Sequence, residues 1–132
     1  LGILVDLSHM NAEGFRDIAE ISTKPLVATH SNVHALSNSS RNLMDWQLDA
    51  IRNSGGVVGL NYAVPFIRED GRQTADTPLT TMIRHLDYLV DKLGEDGDRH
   101  GLVLGRLNEG EGVDELVPGE QEHINRGSGH AR

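Results

Sequence analysis

A parallel α/β fold is predicted by three features of the sequence. Short apolar runs alternate with amphipathic stretches, in the order β-α-β-α-β-α-β. The helical stretches are long enough to serve as crossovers, which are right-handed between parallel strands. Gly and Pro punctuate the joins. This pattern fits an open sheet and a section of a barrel equally well. At 132 residues the chain makes one small domain or part of a larger one. It falls short of a complete eight-fold α/β barrel, which takes about 250 residues.

Each element follows from local chemistry. Residues 2–7, GILVDL, are short and mostly apolar and read as a buried strand ending at Ser8 and His9. Asn11 is placed to cap a helix through residue 22, with Phe15, Ile18, Ala19 and Ile21 near one face. Pro25 stops that helix, and Leu26–Thr29 make a second strand ending at His30. Residues 31–41, rich in Ser and Asn, read as a loop. Asn42 is expected to cap the next helix, whose buried side is Leu43, Trp46, Leu48 and Ile51, and Gly55 and Gly56 end it. Val57–Asn61 form a third strand and residues 63–76 a polar loop. Thr77 followed by Pro78 starts a third helix, with Leu79, Met82, Ile83, Leu86, Leu89, Val90 and Leu93 on its apolar face. Leu102–Leu104 are a fourth strand. From Arg106 to Arg132 the chain turns polar and Gly-rich, and an irregular tail is expected.

Composition narrows the chemistry. With 12 basic and 20 acidic residues the formal charge is −8, which disfavours nucleic acid or an anionic membrane as partner. No apolar run approaches the roughly 20 residues of a membrane span. There is no cysteine, so any metal must be held by His and carboxylates. That composition is compatible with a reducing cytoplasm. The chain opens inside an apolar run with nothing basic before it, so no signal peptide is visible and upstream sequence is expected.

His9 and His30 stand at the ends of two apolar strands. In parallel α/β folds those ends form the functional rim. Two imidazoles at adjacent strand ends can share one Zn²⁺, an Asp behind an imidazole can orient its ring, and Asp6, on the strand below His9, is a candidate for such a supporting group. Alternatively, each His simply ends its strand. His34 reads as a solvated loop residue and His85 as a structural helix residue. His100, His123 and His130 lack ligand spacing, and the acidic residues from Glu95 to Glu115 lack the pattern of a calcium loop.

The ordered stretches DLSHM (6–10), KPLVATHSNVHAL (24–36), SRNLMDWQLDAI (40–51) and GGVVGLNY (55–62) resemble the membrane dipeptidase family, also called renal dipeptidases. His9 and His30 lie 21 residues apart, and Arg41 follows the second by eleven, both intervals matching the family. The resemblance covers about residues 2–105. It implies a partial (β/α)8 barrel over residues 1–105 and hydrolysis of dipeptides by a zinc-activated water. It implies His9 and His30 as ligands of one zinc. A complete family enzyme carries two zinc ions, and this chain offers at most one partial site. It implies that Arg41 grips the carboxylate of the substrate, and Asn61 matches a family Asn at the end of the third strand. Guanidinium suits that grip because it offers two parallel donors and stays charged.

Against the family pattern, the other zinc ligands and the bridging Glu would lie upstream of residue 1. Leu107 stands where the family has a catalytic Asp, and Glu109 where it has a second one. Leucine cannot move a proton. The isolated chain is therefore expected to be inactive, and the tail 106–132 to be unrelated to the family, as after a frame change or truncation. The competing reading is a non-catalytic α/β fragment or interaction module. Half a barrel would expose its inner face and two sheet edges and so favour self-association.

Overall fold

The structure, a computed structural model, describes residues 2–94 and the backbone of residues 101–104. The expectations for Glu95–His100, for Leu107 and Glu109, and for the tail 106–132 with His123 and His130 lie outside the described residues. The elements run α1 (Ala12–Ile21), β1 (Val27–Ala28), α2 (Asp45–Asn53), β2 (Val57–Leu60), α3 (Val64–Ile67), α4 (Leu79–Leu93) and β3 (Gly101–Leu104). The three strands form one sheet in the order β1-β2-β3, all parallel. Val27 pairs with Val57, and Val57 with Gly101. No described helix is long and apolar enough to cross a membrane.

The first predicted strand is corrected. Residues 2–7 contribute a single parallel bridge, Asp6 to Val27. Ile3, Leu4 and Val5 stay 76%, 61% and 48% exposed, having no strand beside them among the described residues. The predicted 63–76 loop contains the short helix α3, begun by Pro65 in its first turn.

Capping follows the sequence at α1, where Asn11 Oδ1 accepts from the Gly14 amide at 2.8 Å. It departs from it at α2. That helix starts later, at Asp45, and Gln47 Oε1 accepts from the Met44 amide. Asn42 instead spans two loops, its Nδ2 donating to the carbonyls of Ser37 and Phe66 at 2.9 and 2.8 Å. Likewise Thr77 bonds the Thr74 carbonyl rather than capping α4.

Leu7, Phe15, Leu26, Ala28, Val33, Leu43, Leu48, Ile51, Val58, Leu60, Leu89 and Leu93 form one core cluster between the sheet and its helices. Ile21 and Leu79, expected on apolar faces, lie at helix ends and are 75% and 66% exposed. Gly56 is required by close approach: a Cβ there would lie 2.0 Å from the Leu26 carbonyl oxygen. Tyr88 and Lys92 of α4 both bond the Asp45 carboxylate, tying α4 to the start of α2.

His85 is the structural helix residue the sequence suggests, and it is 1% exposed. Its Nδ1 accepts from the Val33 amide at 3.1 Å, so Nε2 carries the proton and donates to the Ile67 carbonyl at 3.0 Å. Burial, outweighing the bond to Ile67, pushes its pKa below the ordinary value, and Arg84 adds to this. As pH falls below about 6.5, the unfolded chain takes up a proton here that the folded chain still refuses. The contribution is thus complete above that pH and lost below it.

We expect His85→Leu to cost about 1–3 kcal/mol at pH 8, since a buried amide and carbonyl lose their partner. The gap between wild type and variant should narrow toward pH 5.5. Denaturant titrations at both pH values check this, and a gap that widens on acidification would contradict it.

Candidate metal and substrate site

The two segments carrying His9 and His30 are laced together by their own backbone. Leu7 N–H donates to the Val27 carbonyl at 2.8 Å. Thr29 N–H donates to Asp6 Oδ1, and His30 N–H to Ser8 Oγ, both at 3.0 Å. Asp6 Oδ1 also accepts from the Ser8 amide. His9 and His30 therefore stand side by side, ring centroids 4.7 Å apart and planes at 79°.

His9 sits at φ +62°, in the left-handed region. Such a conformation costs a residue with a Cβ about 1–3 kcal/mol and persists only where its surroundings enforce it. Here a turn enforces it, closed by the Met10 amide on the Leu7 carbonyl.

Both rings are oriented through Nδ1. His9 Nδ1 lies 3.1 Å from the Arg41 carbonyl oxygen. A carbonyl can only accept, so Nδ1 carries the hydrogen and Nε2 keeps its lone pair. Burial lowers the His9 pKa, helped by the charges of Arg41 and His30 and opposed by the Arg41 carbonyl and Asp6. His30 Nδ1 lies 2.8 Å from Thr29 Oγ1, which also bonds Asp6 Oδ2. Partial burial would raise the Asp6 pKa, but the hydroxyl and amide donors of Thr29 and Ser8 prevail and bring it to about 2. Asp6, on the segment that carries His9, thus stands behind His30 through the Thr29 hydroxyl.

Arg41 is exposed, its guanidinium carbon 5.4 Å from the centroid of the Phe66 ring. The same ring is 5.8 Å from that of His9. Phe66 therefore neighbours both His9 and Arg41, and Asn42 anchors its backbone. Thr29 and Phe66 were missed in the sequence. The signal for Thr29 was its place directly before His30, while Phe66 lies in a loop with no local signal.

The remaining candidates fall elsewhere. Asn61 is buried and structural, its amide and carbonyl bonded by the Asn32 side chain. His34 is half-buried, and its amide donates to the Leu43 carbonyl. A cavity of about 500 Å³ beside α4 is lined by Arg68, Asp70, Arg84 and His85, and by none of His9, His30 or Arg41. Among the described residues no group of three or more His, Asp or Glu is placed to hold a metal ion.

The strain at His9 makes a separable prediction. Glycine adopts positive φ freely, so His9→Gly should keep the melting temperature of wild type or raise it, while abolishing zinc-induced shifts of the His30 ring. Thermal unfolding and proton NMR with zinc check both halves.

Comparison with known proteins identifies the family. Residues 1–97 match the family model for membrane dipeptidase (Peptidase family M19). An uncharacterised protein of the pqqA 5′ region in Klebsiella pneumoniae is 58% identical over 96 residues, covering 73% of this chain and 35% of that protein. One of the PQQ-III 3′ region in Acinetobacter calcoaceticus is 48% identical over 91 residues, 69% of this chain and 29% of its own. The crystal structure of a metallopeptidase from Rhodobacter sphaeroides, liganded with a phosphinate mimic of the dipeptide L-Ala-D-Ala, aligns with a TM-score of 0.69 and 54% identity. That alignment covers 76% of this chain and 28% of the other. The chain thus spans about a third of the length of the curated relatives it matches. A family model that accounts for most of the sequence, together with these relatives, shows that the chain belongs to the membrane dipeptidase family.

Proposed function

We propose that residues 1–105 are a section of the (β/α)8 barrel of a zinc-dependent dipeptidase. In this reading His9 and His30 are two ligands of one zinc, and Arg41 binds the terminal carboxylate of a dipeptide. The observation that carries it is the imidazole pair: adjacent rings, each with Nδ1 engaged by an oxygen and Nε2 unbonded to any described residue. Two neutral nitrogens so presented fit half of a tetrahedral zinc site, and the remaining ligands must come from outside the described residues.

Zinc, when bound, supplies Lewis-acid polarisation of the peptide carbonyl and lowers the pKa of water toward neutrality. The residues of this chain do the rest of the positioning. Arg41 offers a bidentate donor pair to the carboxylate, and Phe66 beneath it restricts where the guanidinium can lie. The dipeptide mimic in the Rhodobacter sphaeroides structure supports a dipeptide substrate whose second residue has the D configuration.

Leu107 at the position of the proton-transferring Asp leaves this chain without that function, so the chain alone is inactive. The exposed Ile3–Val5 edge favours self-association over a free monomer. A non-catalytic interaction module remains the second reading, favoured by that same edge.

Purified chain with zinc should release no amino acid from L-Ala-D-Ala above a heat-denatured control, and zinc-dependent turnover would overturn the inactive reading. In a chimera, residues 2–94 should replace the matching segment of the Rhodobacter sphaeroides enzyme with retention of hydrolysis and of full metal content. Arg41→Met in that chimera should raise KM about tenfold to a hundredfold with the metal content unchanged, a charge-assisted bond being worth about 1.5–3 kcal/mol. A folded chimera that lacks zinc would sink the ligand assignment.

A further inference from the structure

The bonds around Asp6 do more than join two segments. Its Oδ1 accepts from the amides of Ser8 and Thr29, one on each ligand-bearing segment. Its Oδ2 accepts from the Thr29 hydroxyl. A carboxylate cannot donate, so the single hydroxyl hydrogen of Thr29 is committed to Asp6. Thr29 Oγ1 then has only lone pairs to offer His30 Nδ1, 2.8 Å away. The hydrogen in that contact must belong to the imidazole. The direct approach of His30 Nδ1 to Asp6 Oδ2 is 3.7 Å, too long for a hydrogen bond, so the hydroxyl mediates.

We infer that Asp6 is a positioning residue that, through the Thr29 hydroxyl, holds His30 in the Nδ1–H tautomer with the Nε2 lone pair presented to the cation. By accepting the Ser8 and Thr29 amides, the same carboxylate sets the spacing between His9 and His30. Asp6 itself does not touch the metal: its oxygens are already engaged by three donors from the protein. The arrangement differs from a carboxylate bonded directly to a ligating imidazole, because a hydroxyl carries the orientation and can be removed alone. The inference rests on the reading of His9 and His30 as zinc ligands.

Thr29→Val removes the hydroxyl and keeps the shape at an exposed strand end, and Thr29→Ser restores the hydroxyl. Long-range ¹H–¹⁵N NMR of the imidazoles in the metal-free chain reports the tautomer of each ring. Wild type and Thr29→Ser should show His30 as Nδ1–H. Thr29→Val should shift His30 toward Nε2–H and leave the His9 tautomer unchanged. Zinc added alone and followed on the same ring signals should bind Thr29→Val about tenfold to a hundredfold more weakly than wild type, with Thr29→Ser close to wild type. A Thr29→Val chain with an unaltered His30 tautomer overturns the inference. So does unaltered zinc affinity in that variant. A folded chimera carrying wild-type residues 2–94 that shows the expected tautomers and holds no zinc overturns the ligand reading instead, which keeps the two failures distinct.

Discussion

The strand end that carries His30 depends on the parallel register that sets Val27 beside Val57. That register is held at both ends. Below the strands, the Leu26 carbonyl enters space that any side chain at Gly56 would fill. Above them, the Asn32 side chain donates to the Asn61 carbonyl at 2.8 Å and accepts from the Asn61 amide at 3.1 Å. A slip by one residue would turn Ala28 and Val58 out of the core and carry His30 to the wrong face. The strands themselves are short, so packing and buried polar bonds fix the register more than ladder length does.

The loops beyond the strand ends are ordered by the same means. His85 reaches from α4 to both Val33 and Ile67, and Asn42 holds Ser37 and Phe66. Unpaired, such buried groups would each destabilise the fold, so their partners are tightly specified. The outcome is a rigid support under an exposed site. His9, His30 and Arg41 lie at the surface, while His85 and Asn42, which tie the loops beyond the strands together, are buried.

Much of this was legible in the sequence, for identifiable reasons. Helical periodicity marked α1, α2 and α4, and Asn11 marked the start of α1, because those signals are local. The His pair could be read because each residue ends an apolar run. Residues 2–7 read as a buried strand yet stay mostly exposed, because the same apolar character belongs to a buried strand and to an edge without a partner. Asn42 and Thr77 have the chemistry of helix caps, yet Thr77 bonds back to the Thr74 carbonyl and Asn42 reaches Phe66, 24 residues away. The imidazole that Asp6 serves was not legible for a similar reason: its link to His30 runs through Thr29, 23 residues away. Contacts between remote loops leave no periodic trace.

The two imidazoles are steadied by different kinds of oxygen. His9 leans on the main chain of residue 41, and a peptide oxygen is present whatever amino acid occupies that position. His30 leans on a hydroxyl, which only Thr or Ser supplies at residue 29 with a comparable reach. Genetic drift at position 41 can therefore change the side chain while sparing the neighbouring ring, whereas drift at position 29 has almost no room. The side chain at residue 41 and the orientation of the His9 ring are in this way placed under separate mutational control, although one residue takes part in both.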